Sequence, residues 1–262
     1  LTRSRRSRNS AQLTSSEATI NLLFLTPQLP YPPRQGTAIR NWGLIRHLAQ
    51  RHRITLLSFC DDGQSAEAPE LRAACERIVT IPVPKRTLFD RLRTLVFSHI
   101  PDLLNRLHSV EFARALIVLL QESPFDIVQI EGLEMTAYSP FVIIEQKKAD
   151  LSRQKIIYDA HNAEHILQRR ALLTDLRHPN RWMVALYSLT QIPRLKELEK
   201  DVCSESDCVT CVSHEDAIAL RELVPGLKPV VVPNGIDVAE YREVSRPPST
   251  VFRSPSLVFT GK

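Results

Sequence analysis

The sequence holds no run of about 18 uncharged apolar residues, the length a helix needs to cross a bilayer, so no membrane-spanning helix is expected. Its basic start, Leu1-Thr2-Arg3-Ser4-Arg5-Arg6-Ser7-Arg8, is not followed by an apolar block and a small-residue cleavage site. No export signal is therefore expected, and the location read from the sequence is cytoplasmic. The chain begins with Leu1 rather than Met and is read as a fragment at its front end. Glycine is scarce, 7 of 262 residues, and neither a GxGxxG nor a Walker signature occurs. Those gaps argue against a dinucleotide dehydrogenase and a P-loop ATPase. An excess of one charge is also missing from the body of the chain. The net charge is +5, but Arg3, Arg5, Arg6 and Arg8 supply four of those charges from a Ser-rich leader (residues 1–18) expected to stay unfolded. The folded part is nearly neutral, so a nucleic-acid partner is not expected.

What remains is an ordinary globular composition, 43% hydrophobic and 24% charged, too apolar for a disordered chain. The five cysteines, an odd number, read as reduced thiols. The spacing Cys203-x4-Cys208-x2-Cys211 can hold an iron–sulfur centre. Against that, Cys208 and Cys211 stand three apart on an apolar strand pattern, which turns their thiols to opposite faces. They read as small buried hydrophobes.

Short apolar runs bounded by turn residues occur at residues 20–26, 54–59, 78–81, 125–130, 155–159, 207–212 and 229–232. Such runs are strands buried on both faces of a parallel sheet. Helical periodicity occupies residues 37–50, 87–121 with a break at Pro101, 163–173, 181–204 and 213–223. Strands alternating with helices imply a Rossmann-like, doubly wound α/β sheet. That domain is expected to span residues 19–244. Residues 245–262 read as a linker and the first strand of a second domain that is absent or truncated, because a fresh strand arrives at Gly261-Lys262 with nothing after it.

In an open α/β sheet, ligands bind beyond the carboxyl ends of the strands. Three polar segments fall there: the Pro-rich loop from Pro27 to Gly36, Asp159-Ala160-His161-Asn162-Ala163-Glu164, and the turn from Val212 into Ser213. Gly36 opens a helix whose first amides lack internal partners, so it is either a phosphate cradle or a plain turn glycine. His161 either meets a bound hydroxyl and exchanges protons near neutrality, or caps the next helix. The Asp159, His161 and His165 spacing resembles metal ligation, but no further dense cluster accompanies it, and no metal or cofactor is expected.

Several of these segments resemble glycosyltransferase family 4, a family of retaining enzymes with the GT-B fold. The matching pieces are Gln35-Gly36, Tyr158-Asp159-Ala160-His161-Asn162-Ala163-Glu164, Thr210-Cys211-Val212-Ser213-His214-Glu215-Asp216, Val231-Val232-Pro233-Asn234-Gly235-Ile236-Asp237 and Leu257-Val258-Phe259-Thr260-Gly261-Lys262. The resemblance implies the N-terminal, acceptor-side half of a two-domain enzyme. Its partners would be a nucleotide-sugar donor and a glycan, lipid-linked or small acceptor. It further implies that the Gly36 backbone approaches the donor diphosphate and that His161 bonds the transferred sugar or the acceptor. Arg40, Asn162, Glu164 and Ser213 join Gly36 as donor-phosphate or substrate-binding residues, while Asn234, Gly235 and Asp237 shape the hinge under the cleft. The family often has two glycines where this chain has Gln35-Gly36, and its second-domain residues would lie beyond Lys262. The chain alone is thus expected to transfer no sugar. A non-catalytic α/β binding module and a GT-B sugar-nucleotide epimerase are the alternative readings. The basic stretch at residues 85–97 interleaves cations with bulky apolar residues. It is either a peripheral contact with the inner face of a membrane or a helix packed on the sheet with solvated arginines.

Overall fold

The computed structural model describes residues 18–87, 93, 98–150 and 154–235. The leader, most of the basic stretch at 85–97, Asp237 and the segment 245–262 lie outside the described residues.

Seven strands form one parallel sheet: β1 (Asn21–Thr26), β2 (Arg53–Cys60), β3 (Arg77–Pro82), β4 (Ile127–Glu131), β5 (Lys155–Ala160), β6 (Cys208–Cys211) and β7 (Val230–Val231). Their spatial order is β3-β2-β1-β4-β5-β6-β7. The chain thus winds outward from β1 in one direction and, after crossing over, from β4 in the other. That order, with helices on both faces, is a Rossmann-like arrangement whose switch point lies between β1 and β4. Among the described residues the helices are α1 (Gly36–Leu48), α2 (Pro69–Ala74), α3 (Asp102–Arg106), α4 (Val110–Glu122), α5 (Ser139–Lys148), α6 (Glu164–Asp175), α7 (Trp182–Glu205) and α8 (His214–Leu223). A 3-10 turn, Leu133–Tyr138, leads into α5. The periodicity missed α2 and α5. The first is a single short turn and a half opened by Pro69, and α5 buries only Ser139, Val142 and Glu145, so it shows no clean apolar stripe.

Strand alternation sorts the core. Leu22 and Phe24 of β1 pack with Ile54 and Leu56 of β2 under Trp42 and Ile45 of α1. Leu23 and Leu25 face the opposite layer, where Leu57, Phe59, Val128 and Ile130 meet Phe112 and Leu116 of α4 and Val142 of α5. Phe59, Phe112 and Tyr138 stack there, with the first two ring centroids 4.5 Å apart. A third cluster joins Tyr158, Ala160, Val209 and Cys211 of the sheet to Leu195 and Val202 of α7 and Leu220 of α8. Each such buried side chain contributes about 1.5–3 kcal/mol, which makes both faces of the strands apolar. All five cysteines are free: Cys203 lies in α7, whereas Cys208 and Cys211 lie on β6.

Candidate functional site

Parallel register sets three polar residues side by side at the carboxyl edge. Glu131 ends β4 opposite Asp159 of β5, and Asp159 stands opposite Thr210 of β6. Glu131 and Asp159 are fully buried, so each needs partners to hold its charge. Arg40 reaches Asp159 from the second turn of α1 with Nε 2.7 Å from Oδ2 and Nη2 2.8 Å from Oδ1. Its remaining nitrogen, Nη1, donates to the Val232 carbonyl at 2.7 Å and to Asn234 Oδ1 at 3.1 Å. Thr210 Oγ1 donates to Asp159 as well. Burial lifts the Asp159 carboxyl, but Arg40 and Thr210 hold it below its ordinary value. The guanidinium read from the sequence as a phosphate ligand is therefore committed at all three nitrogens to the chain's own acceptors. It ties the start of α1, the end of β5 and the segment at Val232 and Asn234 into one rim.

His161 follows directly on β5. Its Nε2 lies 3.0 Å from Glu131 Oε2 and 3.7 Å from Asp159 Oδ2. Glu131 Oε1 accepts from Gln129 Nε2 at 2.7 Å, and Asn41, with its amide nitrogen turned inward, donates to Glu131 Oε2 at 2.9 Å. Burial pulls the imidazole down, but the bond to Glu131 and the charges of Glu131, Asp159 and Glu134 together hold its pKa raised. Burial also raises Glu131, and His161 counters it only in part. The hydrogen bond joins two groups that are each held above their ordinary values, so they titrate together. Gly132 makes the close approach workable: its φ is +83°, and a Cβ there would stand 2.9 Å from Glu134 Oε2 and 3.4 Å from His161 Nδ1.

Glu131, Asp159 and His161 offer atoms within 4.8 Å of one another, a spacing a metal could use. Each carboxylate oxygen already accepts from a nitrogen, however, and both oxygens of Asp159 are held by the Arg40 cation. That donor set is a closed hydrogen-bonded network rather than an open coordination shell. His165, which the spacing linked to His161, turns elsewhere: its Nδ1 is 2.5 Å from Glu199 Oε2.

Two acids from later elements fasten the loop after His161. Glu199, buried on α7, accepts from the amides of Glu164 at 2.7 Å and His165 at 3.0 Å. Asp216 of α8 accepts from the Ala163 amide at 2.9 Å. The N-terminus of α6 is therefore filled by the chain's own carboxylates and is closed to a phosphate. Asn162 is exposed and donates to Glu164 Oε1 at 3.3 Å. Burial and the neighbouring Glu134 and Glu199 raise the Glu164 carboxyl despite that bond. Ser213 is the N-cap of α8, accepting from the Asp216 amide at 3.1 Å, so its hydroxyl serves the helix.

Gly36 begins α1 at the same edge. No side chain caps that helix, its first turn carries no acid, and a Cβ at Gly36 would meet nothing within 4 Å. Gln35 and Thr37, on either side of it, line a cavity of about 320 Å³ together with Gln28, Asp61, Arg106 and Glu134. Through Glu134 that cavity reaches the His161 neighbourhood. Gly36 and His161 thus share one rim. Asn234 and Gly235 are exposed at its far side, Asn234 being held by Arg40, and Asp237 lies outside the described residues. The sequence reading missed Glu131, Glu134, Glu199 and Asp216. A carboxylate closing an otherwise apolar strand, as at Glu131-Gly132, is the one local signal that could have found the first.

Residues 34–240 match the family model described as Glycosyltransferase Family 4. No curated protein sequence matches the chain. Among solved structures, the catalytic domain of starch synthase IV from Arabidopsis thaliana, bound to ADP and acarbose, is 13% identical with a TM-score of 0.52. That alignment covers 88% of this chain and 54% of the other, so this chain spans about half the length of the starch synthase chain. Sucrose-phosphate synthase from Thermosynechococcus elongatus is 12% identical over 84% of this chain and 92% of its own, with a TM-score of 0.43. Phytolacca americana UGT2, complexed with UDP-2-fluoro-glucose and pterostilbene, is 11% identical over 84% and 55%, with a TM-score of 0.44. At these identities the likeness is one of fold.

Proposed function

The chain belongs to glycosyltransferase family 4, and from that premise we propose that it is the acceptor-side half of a GT-B enzyme. In this reading it moves a sugar, with retention, from a nucleotide-sugar donor to a glycan, glycolipid or small acceptor. In this reading the reaction takes place in the cytoplasm, a location in keeping with five free cysteines. One observation supports the reading above the others. The Arg40 fork on Asp159, Val232 and Asn234 gathers α1, the His161 loop and the hinge-side segment at a single edge. A leaving nucleoside diphosphate gains negative charge in the transition state and needs donors fixed in advance. The uncapped amides at the start of α1 are the donors this half offers. His161, held by Glu131 at Nε2, presents its other ring edge beside Gly132 and Glu134, where a sugar or acceptor hydroxyl would meet it. Because its acidic neighbours hold its pKa raised, it can donate to that hydroxyl.

The test is a panel of nucleotide sugars offered to the full-length gene product with glycan and lipid acceptors. Transfer is expected for one donor, His161→Ala should lose it by roughly 100-fold with nucleotide binding retained, and the 262-residue chain alone should be inactive. Undiminished transfer by His161→Ala would remove the residue from the reaction. The carboxylates around His161 would also suit proton chemistry on the sugar itself, and isomerised donor in the same assay would favour an epimerase.

A further inference from the structure

A second cavity lies beside the one at the start of α1. It measures about 170 Å³ and sits between α3, the first turn of α6 and the middle of α7, with Asp102, Arg106, Glu164, Tyr187 and Gln191 in its wall. Arg106 lines both cavities, so the two adjoin at its side chain. The smaller one also reaches the loop after β5 through Glu164, whose Oε1 accepts from Asn162, the residue next to His161. Its wall is fastened by the chain itself. Gln191 Oε1 accepts from the Asp102 amide at 2.9 Å, and the Asp102 carboxylate accepts from Arg86 at 3.0 Å and from the Tyr187 hydroxyl at 3.4 Å. Those bonds join α3 to α7. The other end of the Gln191 amide, Nε2, is buried and has no partner among the described residues. Buried donors are normally satisfied, so an amide tied down at its oxygen in a cavity wall leaves its nitrogen for a group the chain does not supply.

The lining selects a class of ligand. Arg106 is exposed and makes no ion pair among the described residues. It stands against the Glu164 carboxyl, while Asp102 is offset by Arg86, so neither a phosphate nor a metal ion finds charge of one sign. Leu103 and Leu195 add an apolar patch to the same wall. Donors and carboxylate acceptors around an apolar patch match a neutral sugar ring, which carries hydroxyls on its rim and C–H bonds on its faces. The volume falls below the roughly 300–1,000 Å³ of an ordinary ligand site, which fits one ring rather than a chain of them.

We propose that this cavity is a saccharide subsite that holds the second sugar unit of the acceptor, while the unit receiving the transferred sugar lies toward His161. The inference rests on the sugar-transfer reading above and narrows it, because an acceptor that fills both places is a saccharide of at least two units. Arg106 and Gln191 donate to ring hydroxyls of the second unit, and Glu164 accepts from one.

The test separates binding from turnover. Titration calorimetry on the full-length protein compares the methyl glycosides of glucose, galactose and mannose with maltose, lactose and mannobiose. At least one disaccharide should bind roughly tenfold or more tighter than its methyl glycoside. Arg106→Gln, at an exposed position, should bring that disaccharide down to the affinity of the monosaccharide while leaving the thermal melt unchanged. Gln191→Glu keeps the acceptor for the Asp102 amide but replaces the donor with an oxygen, and it should have the same effect. Should Gln191→Glu fail to fold, Arg106→Gln decides alone. The subsite is overturned by the absence of any disaccharide preference, by a preference that survives Arg106→Gln, or by tighter binding of glucose 6-phosphate than of every disaccharide. Failure of the transfer reading looks different. A disaccharide that binds with the variant signature but receives sugar from no nucleotide sugar would uphold the saccharide site and remove transfer. Equal transfer to mono- and disaccharides would keep transfer and remove the subsite.

Discussion

Arg40 and Asp159 meet through two near-parallel bonds of 2.7 and 2.8 Å, with 4% and 0% of their side chains in solvent. They lie 119 positions apart in the sequence, and the pair fixes α1 to the end of β5. Breaking a buried pair by removing one partner typically costs about 3–5 kcal/mol, since the other charge is left unpaired in a dry site. Arg40→Met should therefore lower the unfolding free energy by an amount in that range, seen as a lower denaturant midpoint. Arg40→Lys should recover part of it, because an ammonium keeps the charge but cannot fork. If Arg40 were a donor-phosphate ligand instead, Arg40→Met would weaken nucleotide binding and leave the midpoint where it was.

The pair formed by His161 and Glu131 makes stability depend on pH in a defined direction. Against the loss from burial, the Glu131 bond and the carboxylates around it hold His161 raised. Its stabilisation is complete below its ordinary pKa of about 6.5 and fades as pH rises through the higher folded value. Glu131 is raised by burial, so ionising it in the folded state also costs stability as pH rises. The two effects have the same sign. Asp159 is lowered and acts oppositely, its contribution disappearing only on strong acidification. The melting temperature should fall as pH rises from the ordinary carboxylate value near 4.5 through about 7, where Glu131 ionises in the folded chain, and on through the raised His161 value, and Glu131→Gln should remove more than half of that slope. A flat profile in the unaltered chain would show that the pair does not hold its proton.

Much of the fold was legible because it is written locally. Seven apolar runs separated by helical periodicity give an alternating α/β chain, and the structure places seven strands at those runs. The long helix α7 was legible too, although Pro193 sits inside it, because periodicity continues on both sides. Helix α5 was not, since it packs with Ser139 and Glu145 among its buried residues. The site divides the same way. Gly36 and His161 could be read from their positions at strand ends, where the fold class gathers ligands. The groups that orient them could not. Glu199 lies 34 to 35 positions from the amides it holds and Asp216 lies 53 from Ala163, and both occupy ordinary helical positions in the sequence. Arg40 reads from the sequence as a donor-phosphate or substrate ligand, and only the β4–β5–β6 register reveals the buried carboxylate it meets.

Gly36 offers the sharpest separation of ligand binding from folding. A Cβ built on it meets nothing within 4 Å, so the structure itself has no steric need for glycine there. The helix it opens has no side-chain cap and no acid in its first turn, which leaves its positive end facing the cavity shared with Glu134. A diphosphate approaching those amides would need the space that a side chain at this position occupies. Gly36→Ala and Gly36→Val should accordingly change stability by less than about 1 kcal/mol, as exposed substitutions without lost contacts usually do. Calorimetry with the nucleotide-sugar donor on the full-length protein should instead show affinity falling stepwise from glycine to alanine to valine, by roughly tenfold or more at valine. Gln35 already stands on one side of the approach, so Gln35→Gly is expected to act the other way and tighten binding. Equal affinities across the series would move the diphosphate away from α1 and leave Gly36 as a plain turn residue.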